Sequence, residues 1–191
     1  MKRTNGISHF GKWTVMACAT FALLFTLSAS AAQTKVLKFD NVSTSFQDTI
    51  PNGYGGLKWN NFDVVDGVDY VDSGYQAAVI STNYVAFPVG TTNDVLTASI
   101  SAKPGHFFRL NSGYFTAAWN DDLQLEVIGK QNGRTLFDRT YFLSSTSPTK
   151  ITFPPSILTS VEFISSGGTP NGAYNGSGVH FAVDNLSVTV Q

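Results

Sequence analysis

Cysteine is almost absent from this chain of 191 residues. The single cysteine, Cys18, lies in an apolar segment near the amino terminus, so the rest of the chain has none. Disulfide frameworks, zinc–thiolate sites and cysteine nucleophiles are therefore excluded for that remainder. The folded part must be held by its hydrophobic core, and about 160 residues suffice for one core in a single domain.

Charge and histidine are also scarce. Charged residues make up 13% of the chain, and no basic cluster is present that could hold nucleic acid. The three histidines, His9, His106 and His180, lie in no metal-ligand spacing such as H-E-x-x-H, and a nucleophile elbow of the form G-x-S-x-G is missing. No catalytic constellation is recognised, and a glycosidase-like pair of carboxylates is left open.

The first 32 residues have the pattern of a secretory signal peptide. Lys2, Arg3 and Lys12 precede an apolar run over residues 13–27, which is short for a membrane span and ends in the small residues 28–32. Removal of residues 1–32 takes away three basic and no acidic residues, so the net charge changes from -1 to -4. We expect a secreted protein, or a periplasmic one in a Gram-negative source, with no membrane contact after cleavage.

The remaining residues 33–191 have the composition of one all-β domain. Short runs rich in Val, Ile, Thr, Phe and Tyr alternate with Gly, Asn, Asp and Ser, and no helical stripe is found. The clearest hairpin joins residues 123–127 to residues 135–142 through a loop at 129–134 that contains Asn132-Gly133. Further strands are predicted at residues 36–42, 62–65, 77–80, 84–87, 96–101, 107–110, 115–119, 151–153, 161–164 and 181–190. This pattern predicts an antiparallel two-sheet sandwich, with a jelly roll as the preferred form.

One motif occurs twice, at the two limits of this domain. Leu37-Lys38-Phe39-Asp40-Asn41-Val42-Ser43 and Phe181-Ala182-Val183-Asp184-Asn185-Leu186-Ser187 both alternate apolar residues up to an Asp-Asn pair, after which the parity changes. The pattern predicts two adjacent strands, each kinked at the Asp-Asn step. Asp40 and Asp184 are candidate ligands of a structural Ca²⁺; alternatively each carboxylate bonds backbone amides and acts as a structural lock.

Three segments carry a resemblance to a known group of proteins. Residues 50–62 (IPNGYGGLKWNNF), 115–120 (FTAAWN) and 178–186 (GVHFAVDNL) resemble a group of secreted β-sandwich domains found in exported bacterial proteins, some with a PEP-CTERM sorting tail, and in secreted fungal proteins. The resemblance implies a sandwich similar to the galactose-binding-like jelly rolls of carbohydrate-binding modules. The chain stops after its last predicted strand, so we expect free secretion rather than sorting-tail anchorage.

Candidate ligand-binding residues lie in two polar segments. Tyr54 and Asn60 combine an aromatic face with an amide, the groups that hold saccharide rings and hydroxyls, whereas Trp59 is expected in the core. Asn120, Asp121 and Asp122 follow a predicted strand and either contact a ligand or cap a turn.

The preferred hypothesis is a secreted, non-catalytic module that binds an extracellular polysaccharide or glycan. A structural or adhesion protein of the cell surface or extracellular matrix is the alternative, because few charges and Thr/Ser/Asn-rich surfaces also suit contacts between proteins. A secreted glycoside-active hydrolase is the third possibility. Apart from calcium, no cofactor is expected.

Overall fold

The computed structural model describes residues 1–2, 31–90 and 94–191. The predicted signal peptide therefore lies mostly outside the described residues. Within them, no helix is long and apolar enough to cross a membrane.

The described residues form fourteen strands, one short helix and one 3₁₀ turn. In chain order they are β1 (Gln33–Leu37), β2 (Gln47–Thr49), the 3₁₀ turn (Tyr54–Gly56), β3 (Lys58–Asn60), β4 (Phe62–Asp66), α1 (Gly74–Ala78), β5 (Tyr84–Pro88), β6 (Val95–Ser101), β7 (Phe108–Ala117), β8 (Asn120–Asp121), β9 (Leu123–Gln131), β10 (Arg134–Leu143), β11 (Thr149–Thr152), β12 (Ser160–Ser166), β13 (Thr169–Pro170) and β14 (Phe181–Val190).

Two antiparallel sheets face each other, which confirms the predicted all-β sandwich. Sheet A has the order β11-β7-β14-β5-β4-β2, and β1 joins it beside β14. Sheet B has the order β10-β9-β12-β6-β3, and β8 pairs with β13 in a separate two-stranded ladder. The main core lies between sheets A and B and is rich in aromatic rings, including Phe115, Phe163 and Phe181, whose centroids lie 5.9 to 6.2 Å apart.

The predicted pairing of the first and last strands is confirmed. Residues Gln33–Leu37 of β1 pair with Val190–Leu186 of β14, while Val183 pairs with Ala86 of β5 on the same side of β14. Strands β1 and β5 thus share one edge of β14, and the pairing passes from one to the other at the second Asp-Asn step. The register of β14 against β7 is irregular after Asp184, as expected for a bulge.

The hairpin of β9 and β10 is confirmed, with a tighter turn than predicted. Asn132 and Gly133 have φ values of 49° and 81°, which is the backbone of a two-residue hairpin turn. Strand β9 continues to Gln131. The Phe137 ring packs against Gly129, where a Cβ would lie 2.2 Å from that ring. The predicted loop at 129–134 was therefore too long.

Three predicted elements were wrong. The strand predicted at residues 36–42 ends at Leu37, and the first Asp-Asn step lies in a turn beyond it and not in a kinked strand. Residues 77–80 were assigned to a strand, but Ala77 and Ala78 end helix α1, which at five residues is too short to show a helical period. The two strands predicted at residues 107–110 and 115–119 are instead one strand of ten residues, Phe108–Ala117. Trp119 lies beyond its end.

A second, smaller aromatic cluster covers the outer face of sheet A. Helix α1 packs there against β7 and β14, and Gly74 lies so close to β7 that a Cβ would meet the Ala117 carbonyl oxygen at 1.8 Å. The cluster contains Tyr75, Phe87 and Trp119 together with small aliphatic residues of sheet A. Trp119 is buried as predicted, but it belongs to this cluster and not to the main core with Phe115.

Candidate functional site

The repeated Asp-Asn motif holds one loop. Five consecutive backbone amides, from Ile80 to Tyr84, donate to the carboxylates of Asp184 and Asp40. The two oxygens of Asp184 receive Ile80 N–H at 2.8 Å, Ser81 N–H at 2.7 Å and the Ser81 hydroxyl. We call this arrangement the carboxylate clasp.

The two carboxylates of the clasp differ in burial and in pKa. Asp184 has no exposed surface, and burial raises its pKa although hydrogen bonds from Ser81, Ile80 and Asn185 act in the opposite direction. Burial also acts to raise the pKa of Asp40, but the amides of Asn83 and Tyr84, with further donors, outweigh it, so that this pKa is lowered. The hydrogen bonds therefore stabilise Asp40 as the anion, whereas burial disfavours the anionic form of Asp184.

The loop groups that face the two carboxylates in the clasp are hydrogen-bond donors and not further oxygen ligands for a metal ion. Among the described residues, no group of three or more His, Cys, Asp or Glu side chains could hold a metal ion. The geometry favours the structural lock that the sequence left open, and calcium binding by Asp40 and Asp184 stays a prediction with its own test.

Tyr54 belongs to the support of the first Asp-Asn motif. Its hydroxyl accepts a hydrogen bond from Phe39 N–H at 3.0 Å and donates to Asn41 Oδ1 at 3.1 Å. Its half-buried ring lies against Phe39 and Trp59, with centroids 5.7 and 6.1 Å away. Trp59 is 7% exposed, which confirms its core position. The Tyr54 ring is thus packed against other rings, while the nearby Asn60 side chain is exposed on β3.

The segment Asn120–Asp122 lies elsewhere, at the opposite end of β14. Gly56, in the 3₁₀ turn of Tyr54, packs against Val190 at the end of β14, whereas the amide of Ala118 bonds His180 O just before its start. Strand β14 has ten residues, so the two ends are about 30 Å apart. Tyr54 and Asn120 therefore do not share one site.

Asp121 anchors loops. Its Oδ1 accepts Ser145 N–H at 2.9 Å and the Ser145 hydroxyl at 2.7 Å, and its Oδ2 accepts the Asn171 amide at 3.2 Å. The Ser145 bonds, above all its backbone amide, lower the pKa of Asp121. Asp122 is exposed, with a left-handed φ of 55°. Asp121 thus joins distant loops, which is a structural role other than the turn cap that the sequence offered as the alternative to ligand contact.

An aromatic cleft of about 380 Å³ opens beside this segment, on the outer face of sheet A. We define it by its lining residues Gln47, Tyr70, Tyr75, Phe87, Gly90, Trp119, Gly176, Ser177 and His180. Tyr70, Tyr75 and Trp119 contact one another with ring centroids 4.9 to 5.5 Å apart. Phe46, 51% exposed, lies 5.5 Å from Tyr70 and extends this aromatic surface outward.

A second depression, of about 330 Å³, adjoins the cleft. Asn120, Gly167, Gly168, Pro170, Ser177 and Gly178 line it, and Ser177 also lines the aromatic cleft. Asn120 is 7% exposed, and its Nδ2 donates to Gly167 O at 2.8 Å. Of the sequence-predicted ligand residues, Asn120 is thus the one that lines a depression next to aromatic rings.

The sequence did not predict that the rings of the cleft form one group, because they come from distant segments. Tyr70 and Tyr75 flank the start of α1, Phe87 lies on β5 and Trp119 follows β7. The available signal was the FTAAWN segment, where the paired alanines fit a strand end that helix α1 approaches closely. Period-2 counting placed Trp119 on the core face, since it assumed that β7 continues past Ala117.

No protein-family model matches the sequence, and no curated protein matches it. The resemblance to exported PEP-CTERM-associated and fungal domains therefore stays a prediction.

Solved structures do match, at low identity. A CBM61 module in complex with β-1,4-galactotriose is 10% identical, with a TM-score of 0.35 over 72% of this chain and 93% of that one. The CBM32-3 module of a family 31 glycoside hydrolase from Clostridium perfringens is 11% identical, with a TM-score of 0.38 over 75% and 94% of the two chains. A Stig cyclase from Fischerella sp. TAU is 9% identical, with a TM-score of 0.44 over 84% and 98%. At identities and TM-scores this low, the similarities do not decide what this chain binds.

Proposed function

We propose that the protein is a secreted, non-catalytic module that binds carbohydrate in the aromatic cleft. The observation that carries the proposal is a group of contacting aromatic rings outside the main core, open to solvent and bordered by uncharged polar side chains. Aromatic faces pack against the C–H faces of sugar rings, while amides and hydroxyls bond the sugar hydroxyls.

Tyr70 and Phe46 are the rings best placed to meet a ligand. Tyr75, Phe87 and Trp119 are each less than a tenth exposed, so they form the floor. Tyr70 is partly exposed, and Phe46 projects next to it. The amide of Gln47 also lines the cleft, and it donates to Asp63 at 2.9 Å.

Binding of the mature domain to a panel of soluble polysaccharides tests the proposal. Affinity electrophoresis should show retardation by at least one polysaccharide. Tyr70→Ala and Phe46→Ala should weaken it about three- to tenfold each, the amount expected from loss of one aromatic contact. Phe142→Ala is the matched control, because Phe142 is 63% exposed but lies on β10 of sheet B. Equal effects of all three variants would reject the cleft as the binding site.

Catalysis is tested on the same material. Release of reducing ends from the retarding polysaccharide should equal that of a protein-free control. Turnover above this level would show that the protein is an enzyme and not a non-catalytic binding module.

One feature favours the alternative of a surface or matrix interaction protein. Strand β10 is an edge of sheet B, and it exposes Leu136 and Phe142 at 39% and 63%. Exposed apolar side chains on a free edge suit pairing with another chain. Concentration-dependent dimerisation that Phe142→Ala abolishes, together with failure of every polysaccharide to bind, would favour this second function.

A further inference from the structure

Two residues in and beside the proposed carbohydrate site each have a buried acceptor atom without a partner. Within the described part of the chain, five buried side-chain polar atoms have no hydrogen-bond partner. Two of them, Asn120 Oδ1 and His180 Nδ1, belong to residues that line the two depressions on either side of Ser177. A buried acceptor without a donor destabilises a protein, so its retention points to a use.

The side chains of Asn120 and His180 already use a donor group in a hydrogen bond within the protein. The amide nitrogen of Asn120 donates to Gly167 O, which fixes Oδ1 as the unused end. The ring of His180 places Nε2 2.8 Å from Gly90 O. A carbonyl oxygen only accepts, so Nε2 carries the hydrogen and Nδ1 of the neutral ring is an acceptor. Burial lowers the pKa of His180, despite the opposing Gly90 bond, and so favours this neutral form.

The surroundings carry no charge that could attract an anion. None of the residues that line the cleft or the second depression is Lys, Arg, Asp or Glu. A sugar carboxylate or sulfate would meet two acceptor atoms and no cation, which is unfavourable in a partly buried site. Sugar hydroxyls, by contrast, supply the donors that both atoms lack.

We infer that the ligand is a neutral, multiply hydroxylated sugar whose hydroxyls donate to His180 Nδ1 and Asn120 Oδ1. This inference rests on the proposed function and specifies its ligand class. On this inference, His180 and Asn120 select uncharged sugars over acidic ones.

The segment Gly176–Gly178 borders both depressions. Its residues line both depressions, and Gly176 lies on the Trp119 ring so closely that a Cβ would be 2.4 Å from it. The segment is anchored on both sides, by the Tyr174 hydroxyl on Ser145 O at 2.8 Å and by Val179 O, which accepts the Ser165 hydroxyl. Because both acceptor atoms are buried, we expect Gly176–Gly178 to move outward between these anchors when a sugar binds.

Two substitutions of His180 separate ligand contact from structural support. His180→Gln places an amide donor near the Nε2 position and keeps the Gly90 bond, but it removes the acceptor at Nδ1. His180→Asn places an oxygen near Nδ1 and loses the Gly90 bond. We expect His180→Gln to lose about tenfold in affinity with an unchanged melting temperature, and His180→Asn to keep its affinity within about threefold while melting lower. The reverse pattern would show that His180 is only structural.

The probes are neutral polysaccharides (galactan, xylan, β-glucan) and acidic ones (polygalacturonate, alginate). Binding to a neutral probe, with the His180→Gln loss, supports the inference. Preference for an acidic probe overturns the inference and leaves carbohydrate binding intact. Binding to none of the five overturns the proposed function and the inference with it.

Discussion

Removal of the buried Asp184 carboxylate of the clasp should measurably lower the free energy of unfolding. Asp184→Ala leaves the backbone amides of Ile80, Ser81 and Asn185 without their acceptor, while the Ser81 hydroxyl keeps Lys38 O. At about 1.5 kcal/mol for each bond to a charged acceptor, the loss is about 4 to 5 kcal/mol. Release of a buried carboxylate returns about 1 to 2 kcal/mol. We therefore expect the free energy of unfolding to fall by about 3 kcal/mol.

The assay is thermal and urea unfolding of the mature domain, followed by circular dichroism. For a chain of this length, about 3 kcal/mol corresponds to a melting temperature about 6 to 12 °C lower. Asp69→Ala is the control, because it also removes one carboxylate but from an exposed position. The melting temperature of Asp184→Asn should lie between those of Asp184→Ala and Asp69→Ala, because asparagine keeps one acceptor oxygen but turns an NH₂ group toward the remaining donors. A loss in Asp184→Ala no larger than in Asp69→Ala would refute the stabilising role of the clasp.

Three further predictions follow from the same contacts. Millimolar calcium should leave the melting temperature unchanged, because amide donors already face Asp40 and Asp184; a rise that chelator reverses would restore the calcium hypothesis. The raised pKa of Asp184 favours the protonated folded state, so wild-type stability relative to Asp184→Asn should fall as pH rises from about 3.8 through the folded-state pKa. The lowered pKa of Asp40 has the opposite sign, so wild-type stability relative to Asp40→Asn should fall as pH falls below about 3.8. A stability difference that does not change with pH would contradict the direction given for that residue. Gly176→Ala should push its segment off Trp119 and shift the Trp119 emission to longer wavelength, whereas an unchanged spectrum would contradict the close contact.

Local signals in the sequence predicted much of the sandwich. Asn132-Gly133 specifies its turn through positive φ at both residues, and residues 181–190 alternate strongly enough to give the bounds of β14. Helix α1 could not be found this way, because five residues complete little more than one turn and its place depends on a glycine fitting against β7. Its stability comes from tertiary contact and not from a pattern along the chain.

The candidate site was less predictable than the fold. The repeated motif singled out Asp40 and Asp184, and both carboxylates accept amides of one loop, Ile80–Tyr84, which shares no pattern with them. The rings of the cleft are separated by up to 49 residues from Tyr70 to Trp119, so only the folded chain brings them within 5.5 Å.

The clasp and the cleft are connected through one short stretch of chain. The loop that both carboxylates hold runs from the end of α1 into β5, and α1 carries Tyr75, whose ring lies 5.5 Å from Trp119 in the cleft floor. Loosening the loop should therefore disturb the floor although Asp184 does not line the cleft. We expect Asp184→Asn, assayed well below its melting temperature, to bind polysaccharide about two- to fivefold more weakly than wild type, whereas Asp69→Ala binds normally. Equal affinity of wild type and Asp184→Asn would show that α1 is held in place by its own packing on sheet A, and that the repeated motif serves stability alone.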